Sequence, residues 1–188
     1  NISTTVTNKL SSINGFSGET TSPIIFNNAN NRLVIGYETG LIEVLKEDNS
    51  IHISADIVNF NQSGEKTINH ISQFNNMLYL STPFAIVEYD VAKLEFGDTF
   101  FIGANSTSVK INETLIIGNQ IFAATENGLY QADLTNPNLI DFNNWTLLFS
   151  GSFSSITRFN NQTYISSTSN IYRINGSNLE AVKTLSST

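Results

Sequence analysis

The sequence predicts an all-β protein: a β-propeller segment of about four consecutive four-stranded antiparallel blades. Two arrangements satisfy it, an arc of a larger propeller or a small closed ring. Three observations lead there. First, an apolar strand, a tight turn and a second strand recur at Leu33–Val44, Leu78–Asp90, Ile121–Asp133 and Thr163–Asn175, with starts 45, 43 and 42 residues apart. A steady period just above 40 in strand-forming sequence is a blade signature. Second, an Asn- or Gly-containing turn precedes each of these strands: Asn27-Asn28, Asn75-Asn76, Gly118-Asn119 and Asn160-Asn161. Hairpin turns need residues that tolerate positive φ, and these do. Third, apolar periodicity of 3.6 is absent, the nearest case being Asn136–Asp141, at most one helical turn.

The elements follow in order. Ile2–Ser12 fits no blade start, so residues 1–12 read as the outer strand of a preceding blade. Blades then run over about 22–60, 66–105, 109–150 and 153–186. First strands are expected at Ile24–Phe26, Ile68–Phe74, Thr114–Ile117 and Ile156–Phe159. The repeated strand comes second. A turn follows that carries Gly40, Ala85, Gly128 and Asn170 at matching places, three of them suited to a left-handed backbone. Third strands are Leu41–Leu45, Ile86–Tyr89, Leu129–Ala132 and Ile171–Ile174. Fourth strands are Ile51–Ile57, Thr99–Gly103, Trp145–Phe149 and Glu180–Leu185.

Composition narrows the function. The chain has 188 residues, 40% hydrophobic and only 13% charged, enough apolar content for a core. A net charge of −7 with 9 Lys and Arg argues against a nucleic-acid partner. No apolar run approaches the ~20 residues of a membrane span. The absence of Cys excludes disulfides and zinc-thiolate sites. The chain starts at Asn1 without Met or a signal segment, as expected of a mature or trimmed segment of something longer. Its Asn-x-Ser/Thr triplets follow from an Asn- and Ser-rich composition. An arc would expose two blade faces, through which the isolated chain is expected to self-associate.

Candidate chemistry is sparse. His52 and His70 are the only histidines and lack companions at metal-ligand spacing, so both read as structural or solvent-facing. Glu38, Thr82, Glu126 and Thr168 fall on matching turns of one face, where propellers gather ligand-binding loops. Two carboxylates there could serve as an acid–base pair or a cation site, if they came roughly 5–10 Å apart. The plainer reading is polar turn residues, and no catalytic residue, cofactor or metal is expected. Arg32, Arg158 and Arg173 occupy dissimilar repeat positions and form no sialidase-type cluster. Gly-x-Ser-x-Gly, phosphate-loop and His-Glu-x-x-His motifs are absent. Trp145, with Phe142 and Phe149 nearby, reads as packing between blades rather than a glycan platform.

Five stretches carry a resemblance: Ile35–Val44, Gly64–Ile71, Leu80–Val87, Ala123–Tyr130 and Asn136–Trp145. In that order they resemble successive blades of PorZ-type propeller proteins of Bacteroidetes, over nearly the whole chain. They are also similar to the sensor propellers of hybrid two-component regulators. The resemblance implies a non-enzymatic accessory component of type IX secretion at the cell surface or in the periplasm of a Gram-negative bacterium. It implies protein partners in a surface complex and contact with a surface polysaccharide. The chain then looks like about half of the first propeller. The resemblance supplies no catalytic residue.

Overall fold

The computed structural model describes residues 11–185. Sixteen strands form four antiparallel sheets. The first holds β1 (Thr21–Asn27), β2 (Arg32–Tyr37), β3 (Ile42–Leu45) and β4 (Ile51–Ser54). The second holds β5 (His70–Phe74), β6 (Met77–Ser81), β7 (Ile86–Asp90) and β8 (Glu95–Phe100). The third holds β9 (Ile111–Ile117), β10 (Gln120–Thr125), β11 (Gly128–Asp133) and β12 (Thr146–Ser150). The fourth holds β13 (Ser155–Phe159), β14 (Gln162–Ser166), β15 (Asn170–Asn175) and β16 (Asn178–Thr184). In each, strands pair in sequence order, the meander of a propeller blade. The first strands lie inside: β1 neighbours β5, β5 neighbours β9, and β9 neighbours β13. Among the described residues no comparable contact joins β13 to β1, so the blades form an open arc, not a small closed ring.

Turn chemistry sets the hairpins. Asn75, Gly118, Asn160 and Asn161 take positive φ where the first turns were expected, and in the first blade that role passes to Asn31. The second turns depart from expectation. Among Gly40, Ala85, Gly128 and Asn170, only Gly40 is left-handed, at φ +87°. Pairing explains this. Gly36 faces Ile42 across a five-residue turn, whereas Ser81 faces Ile86, Ala124 faces Leu129 and Ser166 faces Ile171 across four. Gly40 is therefore the extra residue, and Leu41 matches Ala85, Gly128 and Asn170. Gly128 is glycine for space: a Cβ there would lie 2.3 Å from Leu147 Cδ1 and 2.7 Å from the Phe149 carbonyl oxygen.

The outer strands shift most. The first blade's ends at Ser54, and Asp56–Asn59 form a short helix, α1, that buries Ile57. The second blade's runs Glu95–Phe100 rather than Thr99–Gly103, with Leu94 at positive φ turning the chain into it. Phe142–Asn144 make a 3-10 turn capped by the Asp141 side chain, just after the segment expected to hold a helical turn. Of the outer strand expected over residues 1–12, residues 1–10 lie outside the described residues, and Ser12 begins a 3-10 turn.

Packing occurs between blades. Val34, Ile42 and Val44 meet Leu78, Leu80, Val87 and Tyr89 at the first seam. Tyr79, Ile86 and Phe100 meet Ile111, Ile121, Ala123 and Trp145 at the second. Ala124 and Leu129 meet Phe153, Ile156 and Ile165 at the third. Each large side chain buried this way contributes about 1.5–3 kcal/mol, so a blade is stable through its neighbours rather than alone.

Candidate functional site

The second turns and the starts of the inner strands share one end of the arc. A repeated backbone bond ties them. Ile68 N–H donates to the Tyr37 carbonyl (3.2 Å), Ile111 N–H to that of Thr82 (3.0 Å) and Phe153 N–H to that of Thr125 (2.9 Å). Each bond joins one blade's turn to the next blade's lead-in. Two asparagines repeat the clasp with side chains: Asn69 Nδ2 donates to the Ile111 carbonyl at 2.7 Å and Asn112 Nδ2 to the Phe153 carbonyl at 2.8 Å.

The four turn positions divide into two groups. Glu38, Glu126 and Thr168 match one another and are exposed; the second-blade residue that matches them is Pro83, not Thr82. Thr82 is buried, and its hydroxyl accepts the Phe84 and Ala85 amides while donating to the Ala85 carbonyl. Thr125 does the same for Asn127 and Gly128, and Ser167 for Ser169 and Asn170. These hydroxyls build the turns, as Ser and Thr do when backbone amides lie within reach. Glu126 Oε1 accepts the Lys110 amide at 3.2 Å. Glu38 receives the Thr67 hydroxyl on its carbonyl (3.0 Å). Tyr37, at the Thr82 position, donates to Glu43, a carboxylate with no exposure that also accepts the Ser17 amide at 2.7 Å. Burial first, and the bond to Glu43 second, push the Tyr37 hydroxyl up to about 12.

A second constellation was missed from sequence. His70, Glu113 and Ser155 occupy one matching position on β5, β9 and β13, facing Ser81, Ala124 and Ser166 respectively. His70 Nε2 lies 3.6 Å from Glu113 Oε1, and the Ser155 hydroxyl donates to Glu113 Oε2. Backbone amides complete the chain: Thr114 N–H donates to His70 Nδ1 (3.5 Å) and Ile156 N–H to Glu113 Oε2 (3.0 Å). Inner strands are sheet edges, so their outward amides need partners, and side chains of the preceding blade provide them. Burial lowers the His70 pKa, with the Glu113 charge opposing. The acid sits between serine and imidazole, so the imidazole cannot take the Ser155 proton and no nucleophilic triad results. The spacing of 43 and 42 residues was the available signal.

The remaining candidates disperse. Arg32 Nη1 donates to the Val91 and Ala92 carbonyls, Arg158 to Asn161, and Arg173 to Glu180 and Gln162. Trp145 packs 6.1 Å from Phe100 between centroids and donates to the Leu139 carbonyl, inside the second seam. Phe149 belongs to the third seam, so the two make no platform. His52 lines a shallow groove with Asp56 and Glu95 between outer strands. Among the described residues no three His, Asp or Glu side chains gather in metal-ligating geometry. A groove of about 540 Å³ lies against the outward face of the first blade and is lined by Phe16, Ile24, Leu33, Ile35 and Tyr37.

Four-stranded meanders stacked around inner strands, with turn-to-lead-in bonds at every seam, define a β-propeller segment. The family model described as "TSS9, PorZ, N-terminal beta-propeller domain" matches residues 2–146. The chain belongs to that family. It is similar in structure to PorZ of Porphyromonas gingivalis, described as an essential bacterial surface component of the type-IX secretion system (TM-score 0.75, 20% identity, 92% of this chain, 23% of that one). It is also similar to the extracellular domain of the hybrid two component system protein BT4673 of B. thetaiotaomicron (TM-score 0.64, 17% identity, 93% and 23%). Yeast Sqt1 shares the fold more distantly (TM-score 0.60, 15% identity, 82% and 45%). The chain thus spans about a quarter of the length of the first two. No curated protein matches it in sequence.

Proposed function

We propose that this chain is a non-enzymatic binding and assembly propeller of a type IX surface secretion complex, working at the cell surface or in the periplasm. The membership of residues 2–146 in the PorZ N-terminal propeller family carries the reading. The loop end is in keeping with it: Thr82, Thr125 and Ser167 are committed to turns, and Glu113 to the Ile156 amide and the Ser155 hydroxyl. Its partners on this reading are proteins of the complex, with surface polysaccharide as a second class. Deleting the encoding gene is expected to leave secreted cargo unattached to the cell surface; normal attachment in the deletion strain overturns the reading.

A second reading, a ligand-sensing propeller, rests on the similarity to the BT4673 extracellular domain. It predicts a membrane span and a kinase in the full-length protein. An enzymatic role for Glu38 and Glu126 is the least supported. It predicts loss of a measured glycosidase activity in Glu38→Gln or Glu126→Gln, and no turnover across a glycan panel removes it.

A further inference from the structure

We propose that His70 is a proton-responsive latch on the seam between the second and third blades. The argument begins with what neutral His70 does. Its Nδ1 carries a lone pair and accepts the Thr114 amide at 3.5 Å, a long bond that helps hold β9 to β5. Its other nitrogen, Nε2, points at Glu113 Oε1, 3.6 Å away. Protonation places a hydrogen on Nδ1. That nitrogen then has nothing to offer the Thr114 amide, and two donors oppose each other. At the same time the imidazolium gains a full charge beside the Glu113 carboxylate. The ring is pulled toward Glu113 and away from Thr114. The proton therefore exchanges a backbone clasp for an ion pair.

Glu113 is well placed to receive this pull. Its Oε2 is fixed by the Ser155 hydroxyl and the Ile156 amide, while Oε1 faces His70. The third seam therefore anchors the carboxylate while the second seam changes. Other ionisable groups do not compete. β1 (Thr21–Asn27) bears no titratable side chain, and neither does the rest of β5. On β9 Glu113 is the only one, and on β6 Tyr79 is the only one. Burial raises the Tyr79 hydroxyl pKa, so Tyr79 stays protonated throughout the histidine range. Water reaches the pair, since about a third of the His70 side chain and a quarter of that of Glu113 are exposed (32% and 24%). Burial lowers the His70 pKa, so the latch responds to mild acid rather than to neutral pH.

The test follows amide and ring signals of the chain by NMR from pH 8 to 4.5. The Thr114 amide is expected to shift with the same midpoint as the His70 ring, while the Phe153 amide, bonded to the Thr125 carbonyl, stays in place. In Glu113→Gln the common midpoint is expected to fall to lower pH, because burial then acts unopposed. In His70→Gln, which keeps an acceptor oxygen and cannot titrate, the Thr114 response is expected to vanish. A Thr114 amide indifferent to pH in the unaltered chain overturns the proposal, whether or not the variants fold. So does a Thr114 response that survives His70→Gln.

Discussion

Glu113 Oε2 lies 3.0 Å from the amide nitrogen of Ile156, across the seam between the third and fourth blades. One oxygen of one side chain thus supplies the outward edge of the next inner strand and also takes the Ser155 hydroxyl. Glu113→Ala removes both acceptor functions and is expected to cost about 1–2 kcal/mol, the price of donors left without partners at a partly wet site. That corresponds to a drop of roughly 2–8 °C in Tm for a chain of this length, read by circular dichroism. Glu113→Gln keeps one oxygen and should lose less than half as much. Equal losses in the two variants would show that charge, not the acceptor oxygen, matters.

Glu88 sits opposite Tyr79 in the second blade, where the third blade has Gln131 opposite Phe122. Burial raises the Glu88 carboxyl pKa, against the lowering effect of the Asp98 amide. A folded pKa above the unfolded value means the folded state holds the proton better. Stability from this group is present below the unfolded value, near 4.5, and is lost as pH rises through the raised one. Glu88→Gln should therefore stabilise the chain at pH 7.5. The site is half-exposed and screened, so the gain is modest, about 0.5 kcal/mol or roughly 1–2 °C. The difference should shrink toward pH 4; a gap independent of pH would assign the effect to packing.

Gly128→Ala would force a Cβ against Leu147 and the Phe149 carbonyl. The carbonyl belongs to the ladder between β11 and β12, so it cannot yield without breaking a pair. The expected loss is about 2–3 kcal/mol, within the usual cost of overpacking. Denaturant melts should show a lower midpoint at unchanged slope.

Thr125→Val removes a buried hydroxyl that serves the Asn127 and Gly128 amides at 3.1 and 3.0 Å. A loss of about 2 kcal/mol is expected, with recovery in Thr125→Ser, since Ser167 builds the matching turn of the fourth blade. Failure of Ser to restore stability would point to the lost methyl instead.

Much of this architecture was legible in the chain itself. Asn75, Gly118 and Asn160 mark hairpins because positive φ is costly for other residues. The apolar second strands mark seams because Leu78, Leu80, Ile121 and Ala123 face a neighbouring blade. The outer strands were harder to place. Ile53 is exposed while Ile57 is buried from a helix, so apolar character alone could not separate strand from helix there. The loop position slipped by one in the second blade, where Thr82 opens its four-residue turn as Thr125 does and Pro83 is the residue in line with Glu126. His70 and Glu113 each serve a backbone amide of another blade, and no local pattern in sequence records such partners.

The turn-to-lead-in bonds have a direction in time. At every seam the acceptor carbonyl, on Tyr37, Thr82 or Thr125, precedes its donor in the chain by about 30 residues. His70 likewise precedes Thr114, and Glu113 precedes Ile156. At synthesis rates of about 5–20 residues per second, each new blade emerges roughly 2–9 s after the surface that receives it. In a chain that emerges from its N-terminus, each receiving surface is thus available before the strand that docks on it. Each finished blade is a template waiting for the next, and a circular permutant cut between Asn69 and Ile111 would have to assemble that seam without its template.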